Sequence, residues 1–248
     1  MTYKKILISI IVILSYCGAY AQIVTDRPDQ TESSSTVPAG ALQIESGVLV
    51  GDEWSNNTSN RQVLLPTNLF RYGITRVVEL RVLNQYEINK SNSNEQFQGF
   101  SDIEVGTKIQ ILKREHINTE IAVLSHLVFP TGSYEIGNEK YGTINKLSIS
   151  HSLNENLNLG YNIGYNHFGA GVGDLTYSMS LAVGVNNRVG LYIEPFGEFS
   201  DLEQFMLNVD GGFTYLITPN FQLDYSFGTG VNNNMNYMSL GGSWLFEK

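Results

Sequence analysis

Hydrophobic and polar residues alternate strictly along residues 157–166, LNLGYNIGYN. Leucine, isoleucine and tyrosine occupy the odd positions, and glycine and asparagine occupy the even ones. Successive side chains of a β-strand point to opposite faces, so this stretch predicts a strand with one apolar and one polar face. A soluble sandwich would bury the apolar face, whereas a membrane barrel would turn it to lipid and the polar face to the lumen. The alternation alone leaves both folds open.

The same alternation recurs to the end of the chain and predicts twelve strands. They cover residues 41–50, 62–72, 77–88, 101–112, 119–129, 145–153, 157–166, 174–185, 189–199, 205–216, 221–228 and 236–246. Most have roughly 10 residues, which suits a tilted membrane strand better than a strand of a soluble sheet. An even number of strands is also typical of single-chain bacterial barrels.

The connections and the aromatic residues favour the barrel over the sandwich. Three connections look long, at 51–61, 89–100 and 130–144, and four look like tight turns, at 73–76, 154–156, 186–188 and 217–220. Aromatic residues gather near strand ends, as in the interfacial belts of membrane barrels. Closing the sheet pairs every backbone group, which hydrocarbon demands. We therefore predict an all-β fold: a single antiparallel transmembrane β-barrel of about 12 strands, up-and-down in topology, over residues 41–248. A secreted β-sandwich is the alternative.

The first 21 residues have the pattern of a signal peptide. Two lysines, Lys4 and Lys5, precede an apolar run that is too short to span a bilayer, and Ala19-Tyr20-Ala21 has the form of a cleavage site. Cleavage after Ala21 is expected. Together with the barrel pattern, this predicts the outer membrane of a Gram-negative bacterium, with outer-membrane lipids and the barrel-assembly machinery as partners.

Composition excludes several kinds of site. The single cysteine is Cys17, so the mature chain has no disulfide and no thiolate metal site. Without the lysines of the signal peptide, 13 basic residues stand against 24 acidic ones, a net charge of about −11. Nucleic acid is therefore not an expected partner. No two histidines have metal-ligand spacing, and no cofactor is predicted.

Four runs resemble one known family. They are TDRPDQTESSSTVPAGALQIESG (25–47), NLFRYGITRVVELR (68–81), GFSDIEVGTKIQIL (99–112) and VFPTG (128–132). They are similar to the transporters assigned to the meta-cleavage pathway of phenol degradation. The resemblance implies an outer-membrane barrel that passively admits a small-molecule solute, aromatic or otherwise apolar. The chain departs from the family at its end, where Glu247 and Lys248 follow Phe246 and the family ends on an aromatic residue.

Charged residues on the polar strand faces are the candidate lumen lining. They are Glu45, Glu79, Arg81, Glu87, Asp102, Glu104, Lys108, Glu120, Glu194, Glu198, Asp210 and Asp224, with Lys146. One interpretation is a pore that favours cations, because carboxylate rings concentrate positive solutes. The other is that these side chains pair and fill the interior, since twelve strands lie between filled eight-stranded barrels and open porins.

Residues 22–40 form a polar, periplasmic N-terminal segment. Its most distinctive part is Thr25-Asp26-Arg27-Pro28-Asp29. Asp26, Arg27 and Asp29 would either belong to a plug that enters the lumen, with Arg27 meeting the acidic wall, or remain solvated in a periplasmic lead-in.

Two other functions compete with the channel. A barrel can be non-conducting and serve a structural or binding role through its loops. A barrel can also be a lipid-acting enzyme, for which the nearest candidate is the run from His151 to Asn154. Neighbouring strand residues point to opposite faces, so His151 and Ser152 could not readily share a proton. We therefore do not expect this protein to be an enzyme.

Overall fold

A computed structural model describes residues 23–55, 58–93, 95–114 and 117–247, and the predicted signal peptide lies outside them. Among these residues, no helix is long and apolar enough to cross a membrane. The described chain forms thirteen strands. They are β1 (Leu42–Ser55), β2 (Thr58–Gly73), β3 (Val78–Ser91), β4 (Gln96–Phe100), β5 (Ile103–Arg114), β6 (Ile117–Phe129), β7 (Gly142–Ser152), β8 (Leu157–His167), β9 (Asp174–Gly184), β10 (Val189–Ser200), β11 (Gln204–Thr218), β12 (Phe221–Gly230) and β13 (Met235–Phe246).

Twelve of these strands close into a barrel. They are all the strands except β4. Each pairs antiparallel with the strands before and after it in this set, so β3 pairs with β5, and β1 pairs with both β2 and β13. The first and last strands are therefore joined along twelve residue pairs, from Leu42 with Phe246 to Glu53 with Met235. None of these twelve strands has a free edge, so the described backbone of the wall is paired around the whole circumference. The predicted twelve-stranded, up-and-down barrel is confirmed.

The remaining strand, β4, continues the line of β5 towards the loop end. Both β4 and β5 pair with β3, and residues 101–102 interrupt them. Strand pairing also extends over residues that the sequence suggested were loops, because β1 and β2 continue as a hairpin to Ser55 and Thr58. Two of the three expected long connections are thus mostly strand, and only residues 130–141 form a long loop.

The apolar side chains of the wall point outwards and the polar ones inwards. On β8, Ile163 is 52% exposed whereas its neighbour Asn162 is 6% exposed. A soluble protein has the opposite arrangement, and a lipid-facing barrel requires this one. The small apolar core is confined to one end, where Ile23 and Val37 pack with Leu245.

The barrel has two distinct ends. The turn end carries the short connections, such as residues 74–77 and 219–220. At this end β1 begins, directly after the N-terminal segment, and β13 ends. The loop end carries residues 92–93, 95, 130–141, 168–173, 201–203 and 231–234. In bacterial barrels the short turns face the periplasm.

Candidate functional site

The N-terminal segment, residues 23–40, lies inside the barrel. It starts at the turn end, where the Ile23 amide donates to the Pro219 carbonyl at 3.3 Å. At its tip, the Gln30 amide donates to the Glu194 carboxylate of β10 at 2.6 Å. It returns to the turn end before β1, where the Gly40 amide donates to the carbonyl of Gly73 at 2.7 Å. The segment is thus an inserted loop whose ends are both fixed at the turn end.

Arg27 occupies a slot in the wall. Its Nη2 donates to Asp224 at 3.0 Å and to Ser239 at 2.8 Å. Gly47 and Gly241 are cross-strand partners on β1 and β13, and a Cβ on either would lie 2.5 Å from Arg27 Nη2. The missing side chains of these two glycines therefore make room for the guanidinium. Because Arg27 is paired with the wall, a solvated lead-in does not describe its environment.

Asp26 lies between three cations of the wall. Its carboxylate is 2.5 Å from Arg81 Nη1, 2.8 Å from Lys108 Nζ and 3.2 Å from Arg71 Nη1. All four residues are buried. Burial raises the pKa of Asp26, but Arg71, Lys108 and Arg81 outweigh it and hold this pKa well below its ordinary value. Asp26 is therefore an ionised anchor of the segment.

Two wall acids complete this cluster. Glu45 accepts from Arg71 Nη1 at 2.8 Å and from the amide of Asp26 at 3.1 Å. Glu79 accepts from Arg71 Nε at 2.9 Å and from the amide of Val37 at 2.8 Å. The same carboxylates thus satisfy buried bases of the wall and backbone donors of the segment, which is how buried charge becomes tolerable.

The tip of the segment contacts the opposite wall. The Gln30 amide and the Thr31 hydroxyl both donate to Glu194. The backbone of Glu32 pairs with the Asn162 amide, which accepts at 2.7 Å and donates at 3.1 Å. The segment therefore reaches across the interior from β1 to β8 and β10.

The wall beside the tip carries acids without bases. Glu194 and Asp210 are cross-strand partners on β10 and β11, and the Tyr237 hydroxyl donates to Asp210. Burial, followed by the charge of Glu194, raises the pKa of Asp29 well above its ordinary value. Among the described residues, no lysine or arginine forms an ion pair with these three acids. The interior is thus charge-paired beside β1–β5 and acidic beside β10 and β11.

The predicted lumen residues divide into three groups in the structure. Seven contact the N-terminal segment directly: Glu45, Glu79, Arg81, Lys108, Glu120, Glu194 and Asp224. Four contact other wall side chains: Glu87, Glu104, Glu198 and Asp210. Asp102 binds the loop 130–141 instead, through Thr131, Gly132 and Asn138. They do not form a single ring, and their part in solute passage remains a prediction.

Several residues of the site escaped the sequence analysis. Arg71, fully buried between Glu45 and Glu79, lies in β2, where Pro66 and a register shift obscure the alternation. Alternation counted back from Gly73, the last residue of β2, places the side chain of Arg71 on the inward face. The slot for Arg27 has no comparable signal, because a glycine that faces an arginine looks like any other strand glycine.

Open space remains on both sides of the segment tip. At the loop end, cavities of about 680 Å³ and 340 Å³ share Gln30, Glu53, Phe196 and Met235 in their linings. Near the turn end, a cavity of about 320 Å³ is lined by Pro28, Asp29 and residues at the ends of β8–β12. The tip, with Gln30 in one lining and Asp29 in the other, separates the two spaces.

The run from His151 to Asn154 does not form a catalytic constellation, because both nitrogens of His151 bond to residues outside the run. His151 contacts the Thr119 hydroxyl at 2.8 Å and the Tyr161 hydroxyl at 3.1 Å, and these bonds engage both ring nitrogens. No group of three or more His, Cys, Asp or Glu side chains within the described ranges could hold a metal ion.

Comparison with known proteins identifies one family. The family model described as "Putative MetA-pathway of phenol degradation" matches residues 25–245. No curated protein matches the chain.

Solved outer-membrane channels share the fold at low sequence identity. The COG4313 outer membrane channel from Pseudomonas putida F1 has a TM-score of 0.70 at 14% identity, covering 86% of this chain and 98% of that one. The KdgM porin in complex with disordered oligogalacturonate has a TM-score of 0.57 at 11% identity, covering 83% and 99%. The Ralstonia pickettii toluene transporter TbuX has a TM-score of 0.52 at 9% identity, covering 87% and 92%. These relatives are channels and porins rather than enzymes.

Proposed function

The chain belongs to the phenol-degradation MetA-pathway family, and we propose from this membership and its plugged interior that it is a passive outer-membrane channel for a small molecule. The N-terminal segment acts as its plug, with Asp26, Arg27 and Asp29 among the anchoring residues. The location is the outer membrane of a Gram-negative bacterium, after cleavage behind Ala21. Outer-membrane lipids surround the wall, and the barrel-assembly machinery inserts it.

One observation carries this proposal. Cavities of the closed barrel lie on both sides of the inserted segment's tip, with Gln30 in the loop-end linings and Asp29 in the turn-end lining. A purely structural barrel has no need of a cavity on each side of such a segment. An inserted loop between two cavities is the arrangement expected of a channel whose width is set by movement of that loop.

The family description and the toluene transporter suggest the class of solute. Both favour an aromatic or otherwise apolar molecule, which is the first class to test.

A non-conducting barrel is the second candidate. It is favoured by how completely the segment is tied to the wall, since Asp26 and Arg27 bind six different wall strands. A barrel so filled could serve a structural or binding role through its loops.

Conductance in a planar bilayer separates the two candidates. The refolded mature chain is compared with a variant that lacks residues 23–38, which keeps Gly40 and Ala41 at the start of β1. We expect low conductance from the complete chain and steady channels from the shortened one, because removing the segment joins the cavities.

Arg27→Ala is the second variant, in case the deletion does not refold. Both variants must show the change of mobility on heating in detergent gels that a folded barrel gives. Silence from folded deletion and Arg27→Ala proteins would establish the non-conducting alternative.

A further inference from the structure

We propose that the smaller loop-end cavity binds a neutral polyhydroxylated solute, such as a monosaccharide. The inference rests on the proposed channel, and it replaces the apolar class that the family description suggests by the class that the lining of this chain's own cavity fits. The cavity has a volume of about 340 Å³, within the range of small-molecule sites, and is lined mainly by β7–β11. A solute that enters from the loop end reaches this cavity before it meets the plug.

Amide side chains dominate the polar part of the lining. Asn162, Asn166, Asn208 and Asn233 all contribute to it, with the hydroxyls of Thr176 and Ser178. Asn162 and Ser178 already bond to Glu32 and Thr31 of the segment, so the other four residues are the ones a solute would use. An amide side chain both donates and accepts, and so does a sugar hydroxyl. Such a lining can therefore satisfy a molecule that carries hydroxyl groups around a ring.

Part of this bonding capacity is unused in the protein itself. The Asn166 Oδ1 atom is buried and has no hydrogen-bond partner within the described structure. Asn208 Oδ1 accepts from Asn233 at 2.8 Å, and this bond orients the asparagine pair at the cavity. A buried acceptor without a donor costs free energy unless a solute or water supplies one. A hydroxyl donor removes that cost once the Asn166 amide turns towards the cavity, because its Oδ1 has less than 1 Å² of accessible surface in this structure.

Phe196 supplies an apolar surface beside these amides. Its side chain lines both loop-end cavities, with Met235 next to it. A sugar ring has a face of C–H groups that can lie against an aromatic ring while its hydroxyls point to the amides. An aromatic contact combined with a few placed polar groups is typical of small-molecule sites.

The same lining disfavours two other classes of solute. A pure hydrocarbon such as toluene would displace water from the amides without replacing its hydrogen bonds. An anionic sugar acid would face Glu53 and Glu198 with only Lys146 to balance them. A neutral solute rich in hydroxyl groups avoids both penalties.

Titrations of the refolded chain test the inference, in a detergent that has no sugar headgroup. Saturation-transfer NMR measures the binding of glucose, of glucuronate and of phenol. Asn166→Leu and Asn208→Leu are each expected to weaken glucose binding about tenfold, the effect of one lost hydrogen bond to a solute. Asn158→Leu is the matched control, because Asn158 lies on the same strand as Asn166 but at the turn end.

Saturable glucose binding that both cavity variants weaken and the control leaves unchanged would support the site. Tighter binding of phenol than of glucose, or equal binding by Asn166→Leu, Asn208→Leu and Asn158→Leu, would overturn it. The proposed channel fails separately. Glucose binding by a folded barrel whose shortened form does not conduct would keep the site and remove the channel, whereas conductance without glucose binding would do the reverse.

Discussion

Single residues decide how the N-terminal segment is held inside the barrel. Arg27 is the clearest case, because its guanidinium needs both an anion and an empty space. Asp224 provides the anion and Gly241 provides the space. Removing one partner of a largely buried ion pair usually costs more than the pair itself contributes, since the other charge stays buried.

We predict that Arg27→Ala and Gly241→Ala each release the segment. Arg27→Ala strands Asp224 and should cost about 3–5 kcal/mol of docking free energy. Gly241→Ala forces the guanidinium out of its slot, at about 1–3 kcal/mol. Protease cleavage within residues 23–40 of the folded barrel measures the release. Both changes remove the same interaction, the docking of the Arg27 guanidinium in its slot. The double variant should therefore be cleaved little faster than Arg27→Ala alone. Additive effects would show that the glycine and the arginine act independently.

At the scale of elements, the break between β4 and β5 allows the barrel rim to bind a loop. Asp102 sits in this break, where its carboxylate accepts from the amides of Thr131, Gly132 and Asn138 at 2.8–3.1 Å. A residue within a continuous strand could not turn its carboxylate towards three backbone donors of another loop. The interruption therefore ties the long loop 130–141 to the rim of the barrel.

We expect Asp102→Ala to free this loop without opening the barrel. Trypsin cleavage after Lys140, an exposed residue of the loop, should become about tenfold faster, because several hydrogen bonds to a charged group are lost. Asp174→Ala is the control, since Asp174 binds the amide of Asp201 in other loops at the same end. Equal acceleration in both variants would mean that the cleavage reports general loosening.

At the scale of the whole molecule, the interior has an uneven distribution of charge. Arg71, Arg81 and Lys108 balance the acids beside β1–β5, whereas Glu194 and Asp210 have no basic partner in the described structure. The potential felt by a passing ion depends on unbalanced charge rather than on the number of acids. Ion preference should therefore depend on the side of the barrel that carries β10 and β11.

This asymmetry predicts which substitutions change selectivity. In the variant that lacks residues 23–38, Glu194→Gln and Asp210→Asn should each move the reversal potential in a potassium chloride gradient towards zero. The matched control is the double variant Glu79→Gln with Arg81→Gln, which removes an acid and its base together and so leaves the net charge of the wall unchanged. Equal shifts from all three variants would mean that ion preference does not depend on unbalanced charge.

The sequence by itself determined the barrel. Alternation is a local property: each strand carries its apolar and polar faces in its own residues, as Ile163 and Asn162 do on β8. The twelve strands of the wall follow from repeating that pattern, and the TDRPD run stood out in the sequence. Whether that run enters the lumen or stays solvated was left open by the sequence. Where a proline and a register shift broke the alternation, in β2, the inward Arg71 was missed.

Only the tertiary structure decided what the inward residues do. Asp26 meets Lys108 across 82 positions of sequence, and Arg27 meets Asp224 across 197. Such pairings arise because closure of the sheet brings distant strands around a single inserted loop, and no local pattern encodes the distance between two side chains. For the same reason, the balance between acids and bases along β1–β5, and its absence beside β10 and β11, could be read only from the folded barrel.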